Sequence, residues 1–166
     1  MAFVARKIAR AKWDDAEGKE LVDFPSDAVT SDLRTQRNSL SFWKCGDANL
    51  EDLRRAVLAV ATGGKNVERF DVAWIPVSEL KAVDVPLAET TGNTPVACLR
   101  DQHIDASELT YGRIGRLATL VRDSIFANRF RRFTKKEVKQ IIADAVSRKE
   151  IAMDDLSVGI QSAMEK

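Results

Sequence analysis

Apolar and polar positions alternate at the start of the chain. Phe3, Ala5 and Lys7 fall on one side of an extended backbone, and Val4, Arg6 and Ile8 on the other. The alternation is imperfect and a helix competes with it. The segment is short, lacks a cap and runs into the acidic stretch DDAEGKELVDFPSD, which favours a strand followed by an exposed loop. Ala28–Thr35 is expected as a second strand, Arg37 and Asn38 as a turn, and Ser39–Lys44 as the returning strand of a hairpin. The period then changes. Leu50, Leu53, Val57 and Val60 recur at helical spacing, Asp47 or Asn49 can cap the start, and Gly63-Gly64 stops it. In RFDVAWIPV both faces of an alternating run are apolar, as in a central strand covered on each side. Pro76 limits its end.

Residues 81–95 carry Pro86, Gly92 and Pro95 and read as irregular. Beyond them the pattern becomes helical. Thr94 and Pro95 can open a short helix. Asp105-Ala-Ser-Glu108 resembles a capping box for a longer one, with Ile114, Leu117, Ala118, Val121 and Ile125 as its apolar stripe. Thr134-Lys-Lys-Glu137 is a second box, opening a helix that turns Val138, Ile141, Ile142 and Val146 inward. A last helix from about residue 154 buries Leu156, Ile160 and Met164. The stretch IFANRFRRFTKKE therefore divides at Phe133/Thr134 into a helix end and a helix start. Phe126, Phe130 and Phe133 are expected on one inner face of the first helix.

These elements predict an α+β fold. A small, mainly antiparallel sheet of about four strands with one packed helix precedes a helical hairpin or bundle. The expected division is 1–95 for the sheet-bearing part and 96–166 for a helical part packed on it.

The composition, 45% hydrophobic and 31% charged over 166 residues, fits a globular chain. No apolar run approaches the roughly 20 residues of a membrane span, and the N-terminus lacks a secretory h-region. The expectation is a soluble, cytoplasmic protein with no membrane partner. Its two thiols, Cys45 and Cys98, are expected to be reduced. Charge is distributed unevenly. Residues 45–112 carry 11 acids against 6 bases, whereas residues 113–140 carry nine bases against two acids. The nine are Arg113, Arg116, Arg122, Arg129, Arg131, Arg132, Lys135, Lys136 and Lys139, and they are the candidate binding residues.

Catalytic signatures are missing. The lone histidine, His103, lies between Asp101 and Asp105 but has no second histidine to share a metal. Cys45 and Cys98 lack a catalytic-cysteine context, and TGGK at Thr62–Lys65 follows a helix where a phosphate loop would precede one. TTGNT at Thr90–Thr94 is a turn sequence leading to a helix N-terminus, which can bind an anion weakly and without specificity. Asp71 followed by Glu79-Leu80-Lys81 matches the loose spacing of metal-dependent nucleases, though Pro76 and Ser78 interrupt the second strand such a site needs. No catalytic residue, metal or cofactor is assigned. The leading expectation is a non-catalytic interaction protein of bacterial or phage type: an adaptor, inhibitor or antitoxin-like chain that meets a protein partner through a basic helical surface. A nucleic-acid-binding module using residues 113–140 is the alternative. A divergent nuclease-like enzyme is the third reading. Oligomeric state is left open.

Overall fold

The computed structural model describes residues 2–165. In chain order its strands are β1 (Phe3–Ile8), β2 (Leu40–Lys44), β3 (Phe70–Pro76), β4 (Leu87–Glu89), β5 (His103–Ala106) and β6 (Phe130–Phe133). Its α-helices are α1 (Ser26–Asp32), α2 (Leu50–Thr62), α3 (Val77–Ala82), α4 (Tyr111–Phe126), α5 (Lys135–Ser147) and α6 (Val158–Met164). Short 3-10 segments, among them Arg10–Ala16 and Ala97–Gln102, link them. The strands form one antiparallel sheet in the order β4-β5-β2-β1-β3-β6.

Alternation along the strands feeds two cores, one on each face. Ala5, Trp43, Cys45, Phe70, Val72 and Phe133 point to a core closed by α2, α5 and α6. Val4, Ile8, Leu40, Phe42, Ala73, Ile75, Ile104 and Ala106 point to a core closed by α1, α3 and α4. This explains why β3 is apolar on both faces: it lies inside the sheet, between β1 and β6, with helices on either side. Two helix starts are capped as their sequences require. The Asn49 side chain accepts from the Asp52 N–H at 3.0 Å. Thr134 and Glu137 form a reciprocal box, Glu137 N–H to Thr134 Oγ1 at 3.2 Å and Thr134 N–H to Glu137 Oε2 at 2.7 Å.

Five expectations are set against the fold, and four of them, all but the division into two parts, are corrected. The sheet has six strands where about four were expected, and β5 and β6 come from the part expected to be helical. The expected boundary at 95/96 falls between β4 and β5, which pair with each other. Ala28–Thr35 is not a strand: α1 starts directly after Pro25 and buries Ala28 and Asp32, one helical turn apart. Asp105–Glu108 does not open a helix. Residues 103–106 pair with β2, and α4 starts at Tyr111 with Thr110 as its cap. Finally, the three phenylalanines do not share a face. A turn with Asn128 at φ 58° ends α4, and the next residues are extended. Phe126 and Phe130 pack on the α4 side, while Phe133 is buried on the α5 side.

Candidate interaction surface

The basic segment divides into cations the fold uses and cations it leaves free. On α4, Arg113 Nη2 lies 3.0 Å from Asp84 Oδ2, and Arg116 Nη1 donates to the Val83 carbonyl at 2.9 Å. Both hold the end of α3 against α4. Arg122 donates to the Lys19 carbonyl at 2.6 Å and covers the Phe24 ring, its guanidinium carbon 5.1 Å from the centroid. Just before β6, Arg129 makes a two-pronged bond to Glu79, at 2.6 and 2.9 Å, stapling α3 to the sheet edge. Arg132 does the same to Asp71, at 2.7 and 3.0 Å. These arginines act as brackets between elements.

The remaining four lie together on the other face, at the corner of β6 and α5. Arg131 stacks over Phe133 and stands 3.6 Å from Glu137 Oε1. Its buried Nε has no hydrogen-bond acceptor among the described residues. Lys135 and Lys136 are exposed and Lys139 is half-buried. Among the described residues no side-chain partner faces these three amines. The nine candidate residues therefore do not form one track: the α4 arginines and the α5 lysines sit on opposite sides of the sheet. β6 pairs only with β3, so its far edge carries no strand among the described residues. A depression of about 130 Å³ lies beside the corner, lined by Leu50, Arg54, Arg131, Phe133, Glu137 and Gln140.

The other candidates take structural roles. Asp71 lies near the start of β3 and Glu79 on α3, beyond the other end of that strand, and they are held by different arginines, so they do not converge on a cation. No group of three metal-ligating side chains exists among the described residues. Burial disfavours the Asp71 charge, but the Arg132 fork outweighs it and holds the carboxyl below its usual range.

His103 is buried with its Nδ1 2.7 Å from Thr90 Oγ1. Thr90 also reaches Asp105 Oδ2 at 3.0 Å, and Ser41 reaches Asp105 Oδ1 at 3.2 Å. This cluster clasps the end of β4 to β5 and β2. Of the two carboxylates flanking His103 in sequence, the strand alternation brings only Asp105 to its side. Burial pushes the imidazole below its ordinary pKa, against the opposing pull of Asp105. Gly92 lets the loop pass: a Cβ there would collide with Trp43 Cη2 and lie 2.8 Å from His103 Cβ.

Burial and the nearby Asp52 push the Cys45 thiol up to about 12, so it is a core group. Cys98 is exposed and accepts from Arg55 Nη2 at 3.4 Å. No sequence pattern signals that contact, because Arg55 and Cys98 lie 43 positions apart.

Comparison with family models, with curated proteins and with solved structures finds no match to this chain.

Proposed function

We propose that the chain is a non-catalytic interaction protein that recognises an acidic segment of a protein partner at the β6–α5 corner. The observation carrying this reading is the set of cations there: Lys135, Lys136 and Lys139, without side-chain partners among the described residues, beside Arg131, which meets Glu137 at 3.6 Å. Every arginine of the basic segment has a hydrogen bond or an ion pair within the fold, so the three lysines are what it leaves over. Placing free cations beside an open strand edge suits an extended acidic peptide, whose backbone would pair with β6 while its carboxylates reach the lysines. The nucleic-acid alternative is less well served. The α4 cations lie across the sheet from the α5 cations and are already bonded, so a phosphate backbone would find a short patch and no continuous groove.

The test is fluorescence anisotropy of a labelled eight-residue peptide alternating Glu with Val, at low salt. The wild-type chain is expected to bind saturably. Reversing Lys135, Lys136 and Lys139 to Glu is expected to abolish binding without loss of fold. Equal binding by the triple variant sinks the proposal. Tighter binding of a random single-stranded oligonucleotide than of the peptide transfers the surface to the nucleic-acid reading.

A further inference from the structure

A second feature of the sheet is independent of the basic corner. β1 pairs with β3 over six positions, from Phe3↔Pro76 to Ile8↔Asp71. It pairs with β2 at only two, Val4↔Lys44 and Ala5↔Trp43. Beyond Ala5 the two strands part. The Arg6 side chain spans the split, Nη1 donating to the Ser41 carbonyl at 2.6 Å and Nε to the Asp32 carbonyl at 2.7 Å. The split opens into a cavity of about 340 Å³, walled by Arg6, Lys7, Ser31, Ser41, Trp43 and Val60, with Ala9 and Asp32 completing it. That volume lies at the lower end of the small-molecule range.

The charges around this cavity are unbalanced in a specific way. Arg6 bonds only to neutral main-chain oxygens, and no carboxylate is within ion-pair distance of it among the described residues. Three of its five N–H groups account for these bonds, leaving donors over. Burial draws the guanidinium down to about 10, with Asp32 pulling the other way, so it is charged at neutral pH. Three acids are near the cavity, and each is occupied. Asp32 accepts from the Ala9 N–H at 2.8 Å, the Trp13 indole N–H at 2.7 Å and the Ser31 hydroxyl at 3.0 Å. Asp105 is held by Ser41 and Thr90. Glu68 pairs with Lys7, whose amine also lies 4.3 Å from the Phe70 centroid; the ion pair is exposed and worth little in water, so the lysine keeps its charge available at the rim. Trp43 and Val60 supply the apolar part of the wall.

We propose that this split is a binding site for a small organic anion, a carboxylate or phosphate monoester on a flat apolar body. The head group takes the spare Arg6 donors, with the Lys7 charge at the rim, and the body lies on Trp43 and Val60. A charge-assisted bond to a fixed guanidinium supplies orientation, and the apolar wall supplies the contact area.

The test is an amide-shift titration of the whole chain with benzoate and with phenyl phosphate, using benzamide and benzylamine as neutral and cationic controls. At least one anion is expected to shift Arg6, Lys7, Ser31, Ser41 and Trp43 saturably, and the stronger of the two identifies the head group. The controls are expected to leave those signals in place. Arg6→Gln should weaken anion binding about tenfold, in line with the loss of one charged hydrogen bond. Should Arg6→Gln unfold, Lys7→Gln, on an exposed side chain, decides the question by a smaller loss in the same direction. Equal shifts from benzamide, anion shifts elsewhere on the surface, or unchanged affinity in a folded variant would overturn the assignment.

Discussion

Arg132 and Asp71 face each other across β6 and β3, joined by two parallel hydrogen bonds of 2.7 and 3.0 Å. The carboxylate is buried, at 6% exposure, while the arginine side chain is about half exposed. The pair fastens an edge strand to the sheet interior. Removing the buried member leaves the sheet without an internal acceptor for Arg132, so Asp71→Ala is expected to destabilise the protein by about 1–2 kcal/mol. The pH dependence has a definite sign. The folded carboxyl lies below its unfolded value, so its contribution is full above the unfolded pKa of about 3.9 and is lost as pH falls through the folded one. Urea unfolding of wild type and Asp71→Ala should therefore differ at pH 7 and converge in strong acid.

Asp32 is the second such anchor. Its carboxylate receives the Ala9 N–H and the indole of Trp13, which is wholly buried. Asp32→Ala leaves those donors in the core without acceptors and is expected to cost about 2–4 kcal/mol. Asp32→Asn retains one acceptor oxygen and should cost less. Both values are read from urea midpoints at constant m.

His103 makes stability depend on pH near neutrality. Its folded pKa is lowered, chiefly by burial, so the unfolded chain binds the proton more readily. The contribution is complete above the unfolded value of about 6.5 and declines as pH falls through it towards the folded pKa. A plot of melting temperature against pH is expected to fall below about 6.5 in wild type, and to be flatter there in His103→Gln. Gly92→Ala, which drives a methyl group into Trp43 and His103, should lower the melting temperature at every pH.

The same residues show how far the sequence can be read. α2 and α5 are legible because a cap, a 3.6-residue apolar stripe and a stop coincide. β3 is legible because alternation with apolar residues on both faces has one physical meaning. The short edge strands are not. β6 has four residues, and FRRF fits the tail of a helix as well as a strand; pairing with β3 decides between them. β5 was hidden by an acid that looks like a cap, and α1 by a β-branched pair, Val29 and Thr30, in a seven-residue helix held by Asp32. The charge excess over residues 113–140 was visible, but its division was not. Partners such as Glu79 and Asp84 lie 50 and 29 positions away, so only the fold shows which cations are spent on it.

The most direct measurement of the central claim maps the acidic Glu-Val peptide onto the chain by amide-shift titration. The β6–α5 reading predicts saturable shifts at Arg131, Lys135, Lys136 and Lys139, weakening steeply with salt and absent in the triple Lys→Glu variant. Shifts centred on Arg113, Arg116 and Arg122, or no saturable shift at low salt, would contradict it.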